Sequence, residues 1–201
     1  MKMSHYFIND DKLKSNKRVL NYSYENVSFK FVSDNGVFSK DEIDDGSNIL
    51  LKNYLEKGKV GNVLDVGSGI GFLGIVISKI NNCEVDMLEI NSRAVELCKE
   101  NIVLNKVSLC NVYESDVYEK ACDKYDVVIS NPPIRAGKKV VFEILEKAKE
   151  YLNDDGELWV VIRKSHGADS AKKKLEEVYG NCEIIKRDKG FYVLKSINRL
   201  C

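Results

Sequence analysis

The segment Val63–Gly74, with the sequence VLDVGSGIGFLG, constrains the fold more than any other part of the chain. Its apolar start, glycine-rich middle and renewed apolar end predict a buried strand, a tight turn and the beginning of a helix. Glycines adopt backbone conformations that other residues avoid, and they let the backbone approach a ligand closely. From residue 60 onward, strand-like and helix-like segments alternate, which is typical of a parallel sheet covered by helices.

The alternating segments predict an α/β fold with a seven-stranded sheet. Strands are predicted at residues 61–66, 83–88, 107–112, 125–130, 156–163, 182–187 and 190–195. Helices are predicted at about 71–80, 91–104, 138–152 and 169–179. The turn Asp188–Gly190 is too short for a crossover, so the last strand should run antiparallel to its neighbour. The expected architecture is a Rossmann-like, doubly wound sheet that binds ligands at the carboxyl ends of its strands.

The spacing of the glycine-rich turn distinguishes two classes of cofactor. Gly69, Gly71 and Gly74 match the dinucleotide fingerprint G-x-G-x-x-G, so a nicotinamide cofactor is one candidate. Asp65 and Gly67 precede them, however, which gives D-x-G-x-G-x-G. A carboxylate near the end of the strand would repel a pyrophosphate and attract the ammonium of a methionine moiety. The spacing therefore favours S-adenosylmethionine.

Two further carboxylates follow predicted strands. Glu89 ends the second strand, where a carboxylate accepts ribose hydroxyls in many Rossmann-like sites. Glu89 could also cap the N-terminus of the next helix, at Asn91 or Ser92, and the two roles are compatible. Asp116 follows the third strand, and it is either an acceptor for an adenine amino group or an ordinary turn aspartate.

The first 45 residues have a different pattern. Val27–Val32 alternates apolar and polar residues, as a half-buried strand does, and Arg18–Tyr22 is its expected partner. A helix reaching about residue 57 follows. We predict an N-terminal β-hairpin extension, residues 1–45, that caps the cofactor side of an S-adenosylmethionine-binding domain spanning residues 46–201.

The fourth predicted strand, Tyr125–Ser130, runs directly into Asn131-Pro132-Pro133. Each proline fixes φ and lacks a backbone donor, so the segment neither continues a strand nor begins an ordinary helix. The Asn131 side-chain oxygen and the Pro132 carbonyl can then face one pocket, where they suit the two N–H bonds of an exocyclic amine. Accepting these bonds would stabilise the positive charge that develops on an aryl amine during methyl transfer. We predict that these three residues form the catalytic segment; alone, an Asn-Pro-Pro sequence would be only a turn.

Basic residues follow this segment and recur at later strand ends. The chain has a net charge of zero, but residues 131–201 carry 15 Lys and Arg against 11 Asp and Glu. A nucleic-acid contact would therefore be a local patch, and the alternative for each cation is a solvated surface position. Isoleucine at position 134 offers apolar contact rather than stacking. The predicted substrate-binding residues are Phe38, Ile134, Arg135, Lys138, Lys139, Arg163, Lys164 and Lys189.

Composition argues against several classes of protein. The six cysteines are scattered without a C-x-x-C pair, and the chain has two histidines, which disfavours a disulfide framework and a zinc site. No apolar run approaches the ~20 residues of a membrane span. The first residues lack the apolar stretch of a signal peptide. We expect a cytoplasmic enzyme, a monomer or weak dimer, without a metal or a membrane.

Taken together, these motifs resemble the "methyltransferase small" family. The segments that carry the resemblance are Gly36–Ser39, Asp44-x-Gly46, the Asp65 glycine loop, Glu89–Ala94, Asn131–Lys138 and Lys189–Val193. The resemblance extends from about His5 to the end of the chain. The family comprises class I S-adenosylmethionine-dependent enzymes related to the ribosomal RNA guanine-N2 methyltransferases.

The resemblance implies methylation of the N2 amine of a guanosine in small-subunit ribosomal RNA, with the base flipped or unpaired. It implies that cofactor is bound by Asp65, Gly67, Gly69, Gly71, Glu89, Asn91, Asp116 and Asn131. The chain is most similar to short members that lack the duplicated N-terminal domain, so it would use a different RNA or a preassembled particle.

Three other functions stay open, beside the nicotinamide-dependent oxidoreductase that the glycine spacing leaves as a candidate. Protein glutamine N5-methyltransferases share Asn-Pro-Pro but typically have an aromatic residue at the position of Ile134 and an N-terminal helical bundle. Methylation of adenine or of a small molecule is a second alternative. The third is a non-enzymatic RNA binder that keeps the fold.

Overall fold

The computed structural model describes residues 14–199 of the chain. His5 and Cys201 lie outside the described residues. The strands are β1 (Arg18–Tyr24), β2 (Val27–Ser33), β3 (Val63–Val66), β4 (Val85–Glu89), β5 (Cys110–Glu114), β6 (Tyr125–Ser130), β7 (Leu152–Arg163), β8 (Glu183–Asp188) and β9 (Phe191–Asn198). The helices are α1 (Asp45–Lys57), α2 (Phe72–Asn81), α3 (Ser92–Leu104), α4 (Lys138–Tyr151) and α5 (Ala168–Tyr179).

Seven strands form the central sheet in the order β5-β4-β3-β6-β7-β9-β8. The pairs from β5 to β7 are parallel, whereas β9 is antiparallel to both β7 and β8. The predicted fold class is confirmed, including the antiparallel last strand and the hairpin at the N-terminal end. The sheet order reverses beside β3, where β4 lies on one side and β6 on the other. Ligands of doubly wound sheets bind at the carboxyl edge beside such a reversal.

Two apolar layers cover the sheet because its strands alternate side chains between their faces. Met87, Ile129 and Trp159 point into a core shared with α1, α2, α3 and the hairpin. Leu88, Val128 and Val160 point into the opposite core, which α4 and α5 cover. The inner strands β3 and β6 are buried on both sides, which explains their nearly continuous apolar sequences.

The hairpin of β1 and β2 is fastened to α3 by two asparagines one helical turn apart. Asn101 accepts a hydrogen bond from the Val32 N–H (2.6 Å) and donates to the Val32 carbonyl (3.1 Å). Asn105 makes the same pair of bonds with Lys30, at 3.0 and 2.7 Å. These side chains pair with the backbone of β2 as a neighbouring strand would, so this edge is not left open.

Apolar contacts continue from the hairpin into the core on one face of the central sheet. The Phe31 ring packs edge-on against Phe72, the first residue of α2, with ring centroids 5.5 Å apart. Phe29 and Phe31 are both fully buried. The hairpin therefore shares a core with the rest of the chain, while the division into domains at residue 45 stays a prediction.

One strand lies elsewhere than its sequence pattern predicts. Residues 107–112 were expected as a strand, but β5 begins at Cys110. Asn105 caps the end of α3, and Lys106 has a φ of +54°, so a turn occupies the first apolar residues after the helix. The other predicted strands and helices are present; β7 begins four residues earlier than predicted, at Leu152, and the remaining ends agree to within three residues.

Candidate functional site at the carboxyl edge of the sheet

The glycine-rich loop between β3 and α2 is shaped by close approaches that only glycine allows. Gly71 has a φ of +86°, and a Cβ there would lie 2.5 Å from the Cys98 sulfur. Gly69 has a φ of +57° and open space around the position that a Cβ would take. The loop therefore exposes backbone on one side and is packed tightly on the other.

Asp65 lies beneath this loop and is completely buried. Its Oδ2 accepts a hydrogen bond from the Gly74 N–H (3.1 Å), whereas its Oδ1 has no hydrogen-bond partner among the described residues. Burial raises the pKa of Asp65 to about 7; the Gly74 hydrogen bond opposes this shift and nearby Glu89 adds to it. A buried carboxylate oxygen without a partner is costly, so this atom fits a site for a cationic ligand group.

Glu89 is fixed at the end of β4 by two backbone donors. Its Oε2 accepts from the Gly69 N–H (2.8 Å) and its Oε1 from the Asn91 N–H (2.9 Å). Burial raises the pKa of this carboxyl group, and the backbone N–H groups of Asn91, Gly69 and Ile90 act in the opposite direction. Both oxygens keep a further lone pair, so the carboxylate can hold hydroxyl groups while it also supports the glycine loop.

Asn91 and Asp116 have different surroundings. The Asn91 side chain caps α3 by accepting from the Ala94 N–H (3.1 Å) and donates to the Gly36 carbonyl (3.2 Å). It is buried and ties the loop after β2 to the start of α3. Asp116 is exposed in the turn that follows β5, at the same edge of the sheet.

Asn131 follows β6 and is oriented by the N-terminus of α1. Its Nδ2 donates to Oδ2 of Asp44 (2.9 Å) and to Oγ of Ser47 (2.8 Å). Asp44 is also the N-cap of α1, because the same Oδ2 accepts from the Ser47 N–H (2.8 Å). Both N–H bonds of the Asn131 amide are thus used within the protein, and its oxygen is left as an acceptor.

The two prolines bring this acceptor beside the glycine loop. A Cβ on Gly67 would lie 3.8 Å from Cδ of Pro133, so the two loops are in van der Waals contact. Pro132 is buried and Ile134 is half-buried, at the start of a short 3₁₀ turn over Ile134–Ala136. The structure thus brings together the predicted catalytic segment and the predicted cofactor loop.

The predicted basic residues lie at this same edge, in two groups. Arg135, Lys138 and Lys139 are exposed at and just before the start of α4, and Lys138 Nζ lies 4.8 Å from the centroid of the Phe142 ring. The second group lies where β7 meets β9. The Arg163 guanidinium stacks 4.5 Å above the Phe191 ring, and the Lys164 N–H donates to the Gly190 carbonyl (2.8 Å).

Lys189 belongs to the second group and also has a partner in α1. Its Nζ lies 2.8 Å from Oδ1 of Asp45, and the carboxylate raises the pKa of this lysine through the hydrogen bond and its charge. Phe38, in the loop between β2 and α1, is 53% exposed.

The side chains that sequence reasoning did not assign to the site are Asp44, Ser47 and Phe191. Asp44 and Gly46 were recognised only as part of a motif. The spacing of Asp44 and Gly46 indicates a capped helix start. It does not reveal that Asp44 and Ser47 contact Asn131, which lies 87 and 84 residues later in the chain. Gly46 is required because a Cβ there would lie 2.8 Å from the Phe191 ring.

Known structures place the fold in one class of enzymes. The T. thermophilus 16S rRNA methyltransferase RsmC, solved with AdoMet and guanosine, superposes with a TM-score of 0.84 at 24% identity. The match covers 93% of this chain and 52% of RsmC. The ribosomal protein L11 methylase of Lactobacillus delbrueckii superposes with a TM-score of 0.68 at 19% identity, over 80% of this chain and 86% of that one. The chain therefore shares its fold with these two methyltransferases.

Sequence comparison then gives the family. A model of the methyltransferase small domain matches residues 28–195. The chain belongs to this family, and it is an S-adenosylmethionine-dependent methyltransferase, as its motifs indicated. The unpartnered oxygen of Asp65 and the open backbone at Gly69 fit this cofactor, which carries both an ammonium and a sulfonium charge.

Two relatives differ in how much of their length the chain spans. The protein YbxB of Bacillus subtilis is 40% identical over 96% of this chain and 97% of its own length. The ribosomal RNA small subunit methyltransferase C of Aliivibrio fischeri is 33% identical over 85% of this chain. The alignment covers 50% of that relative, so the chain spans about half the length of the methyltransferase C proteins.

Two kinds of feature are absent from the part of the chain that the structure describes. No helix among residues 14–199 is long and apolar enough to cross a membrane. Within the same residues, no group of three or more His, Cys, Asp or Glu side chains is arranged to hold a metal ion.

Proposed function

We propose that this protein transfers a methyl group from S-adenosylmethionine to the exocyclic N2 amine of a guanosine in small-subunit ribosomal RNA. The observation that carries the proposal is the position of the Asn131 amide. Its oxygen is available as an acceptor at the end of β6, and the adjoining Pro133 contacts the glycine loop at Gly67. A methyl donor in that loop and an amine on Asn131 would be neighbours.

In this proposal the cofactor lies along the glycine loop. Asp65 holds the ammonium through its unpartnered Oδ1, and Glu89 accepts the ribose hydroxyls with the lone pairs that its two backbone donors leave unused. The exposed backbone at Gly69 allows close approach. Gly67, Gly71, Asn91 and Asp116 complete the proposed set, with Asn91 acting through its cap on α3 and its bond to Gly36.

Bound S-adenosylmethionine supplies an electrophilic methyl group on sulfonium. The protein's task is to place the amine in line with the carbon–sulfur bond, since positioning dominates a displacement of this kind. The Asn131 oxygen and the Pro132 carbonyl would accept both N–H bonds, which localises the nitrogen lone pair and stabilises the charge that develops there. The C–N bond forms as the C–S bond breaks, and the cationic product loses one proton to water.

The basic groups at the same edge suit the RNA. Phosphates beside a flipped guanosine could contact Arg135, Lys138 and Lys139 at the start of α4, and Arg163 and Lys164 at the end of β7. Ile134 and Phe38 would offer apolar contact to the base, and Lys189 would add to the second basic group. An enzyme with this substrate would work in the cytoplasm, as a monomer or weak dimer.

Two relatives support this choice of substrate. The A. fischeri relative is a small-subunit ribosomal RNA methyltransferase, and RsmC of T. thermophilus is a 16S rRNA N2 methyltransferase solved with guanosine. Both are about twice as long as the matched part, and both are ribosomal RNA methyltransferases, so subunits and naked ribosomal RNA are the acceptors to test.

The experiment is transfer of labelled methyl from S-adenosylmethionine. The acceptors are small subunits and naked ribosomal RNA from cells that lack this gene, and the products are digested and separated as nucleosides. We expect labelled N2-methylguanosine. A labelled protein band would favour glutamine methylation, a labelled adenosine would identify a different base, and binding of RNA without transfer would favour a non-enzymatic role. Each of these three results contradicts the proposal.

A further inference from the structure

The first turn of α1 makes more hydrogen bonds than are needed to cap the helix, and the additional ones reach the proposed amine site. A helix cap needs one side-chain oxygen on the backbone N–H of the third residue. Oδ2 of Asp44 provides it, with 2.8 Å to the Ser47 N–H. The same oxygen also accepts from Nδ2 of Asn131, and Oγ of Ser47 accepts the second hydrogen of that group.

We infer that Asp44 and Ser47 are positioning residues that fix which end of the Asn131 amide faces the substrate. This inference rests on the proposed function. A carboxylate can only accept hydrogen bonds, so a flipped amide would bring its oxygen to about 2.9 Å from Oδ2 of Asp44. Two acceptors at that distance repel each other, and the flipped state is disfavoured. The oxygen therefore faces the pocket.

This orientation selects the class of substrate atom. With both hydrogens bound to α1, Asn131 offers the pocket an acceptor and no donor. A nucleophile that carries N–H bonds is accepted, whereas a ring nitrogen without a hydrogen, or a carbonyl oxygen, would direct a lone pair at the Asn131 oxygen. The Asp44 carboxylate also polarises the amide through its hydrogen bond, which makes the Asn131 oxygen a stronger acceptor.

The first turn of α1 is held in place from its other side. Gly46 packs so closely on the Phe191 ring that a Cβ would lie 2.8 Å from it. Next to it, Asp45 is paired with Lys189 across the start of β9. Ser47 is 8% exposed, so its hydroxyl is shielded from water. These contacts give Asp44 and Ser47 the fixed position that the orientation of an amide requires.

The kinetic test compares three variants. Ser47→Ala removes one acceptor and leaves the capping N–H in place. Asp44→Ser keeps a capping oxygen that is too short to reach Asn131 as well. Asp44→Asn keeps an acceptor of the same length. We expect kcat for methyl transfer to small subunits to fall about 10-fold in Ser47→Ala and about 10²-fold in Asp44→Ser, with recovery of most of this loss in Asp44→Asn. KM for the cofactor and for the subunit should change less than about twofold.

The control is Ser78→Ala, which removes a buried serine hydrogen bond of 2.8 Å to the Cys83 carbonyl, near the opposite edge of the sheet. Its kcat should equal that of the wild type. Equal losses in Ser78→Ala and Ser47→Ala would mean that general destabilisation lowers activity, which overturns the inference. Full activity of Asp44→Ser would overturn it as well.

A second measurement does not depend on the substrate. The side-chain amide resonances of Asn131, assigned by their absence in Asn131→Ala, should exchange slowly with water in the wild type. In Ser47→Ala and Asp44→Ser exchange should be at least about 10-fold faster. Unchanged exchange in both variants would overturn the inference. If the wild type does not methylate subunits, the proposed function is wrong, and these resonances alone decide whether α1 orients the amide.

Discussion

The proposed contact between Asp65 and the cofactor makes binding depend on pH. Cofactor-free Asp65 has a pKa of about 7 because it is buried, with one oxygen unpartnered. Only its charged form attracts an ammonium, so the cofactor must displace a proton when it binds at lower pH. Nearby Glu89 is negative when ionised, and its charge contributes to the raised pKa.

The size of the effect follows from two ionisations. An α-amino group has a pKa of about 7.8, so the fraction of pairs with both groups charged is largest near pH 7.4. With a pKa of about 7 for Asp65, that fraction falls about sixfold at pH 6 and about 50-fold at pH 5. The dissociation constant should rise by the same factors. At pH 6, binding should release about 0.9 proton per cofactor.

Isothermal titration calorimetry in buffers of different ionisation enthalpy measures both quantities. Asp65→Asn is the matched variant, because its amide oxygen can still accept from the Gly74 N–H. We expect it to bind at least about 10-fold more weakly at pH 7.4 and to show no pH dependence between pH 6 and 7. A wild-type affinity that is flat over this range, with no proton release, would refute the contact with the ammonium.

The same ionisation affects stability without cofactor. A carboxyl group whose folded pKa lies above its unfolded value stabilises the fold below the unfolded pKa, near 4, and this stabilisation is lost as the pH rises through about 7. The Asp65→Asn variant should therefore unfold at a higher temperature than the wild type at pH 8, and calorimetry of the cofactor-free proteins checks this.

Three other predictions concern the amine site, the RNA surface and the hairpin. Asn131→Ala should lower methyl transfer at least about 10²-fold while the cofactor dissociation constant barely changes; equal activity would remove its catalytic role. The double variant Lys138→Glu, Lys139→Glu should weaken RNA binding and make the slope of log affinity against log salt concentration shallower by about 1.4 to 1.8. The control double variant Lys124→Glu, Lys147→Glu should leave the slope unchanged. An unchanged slope in the first variant would place the RNA elsewhere on the protein. Asn101→Ala leaves the backbone groups of Val32 and the Ile70 carbonyl without partners, so the free energy of unfolding measured in urea should fall by about 3–5 kcal/mol. Asn53→Ala removes one hydrogen bond, to the Ile49 carbonyl, and should lower it by less than about 1 kcal/mol.

Most of the fold could be predicted because the signals are local. The glycine loop, the capped helix starts and the short turn before β9 each lie within a few residues. The start of β5 was wrong by three residues because Val107 continues the apolar pattern in a turn without glycine or proline. Nothing in residues 107–109 distinguishes that turn from a strand.

The contacts that complete the site could not be predicted from local patterns. Sequence reasoning placed Asn131 and Asp65 at strand ends, where the sheet topology brings them to one edge. The partners of Asn131 lie 84 and 87 residues earlier in the chain, and Asp45 lies 144 residues before Lys189. Such pairs depend on how α1 packs against β9, which is a property of the whole core. Lys189 was predicted to face RNA, which stays a proposal, and its sequence context does not reveal the ion pair that it makes with Asp45.

The most direct test of the central claim is made in cells. Small-subunit ribosomal RNA from a strain without this gene is digested to nucleosides and quantified by mass spectrometry, beside RNA from the same strain complemented with wild type or with Asn131→Ala. We predict the loss of one N2-methylguanosine per subunit, its return with the wild-type gene, and no return with Asn131→Ala. An unchanged amount of N2-methylguanosine in the deletion strain would contradict the account.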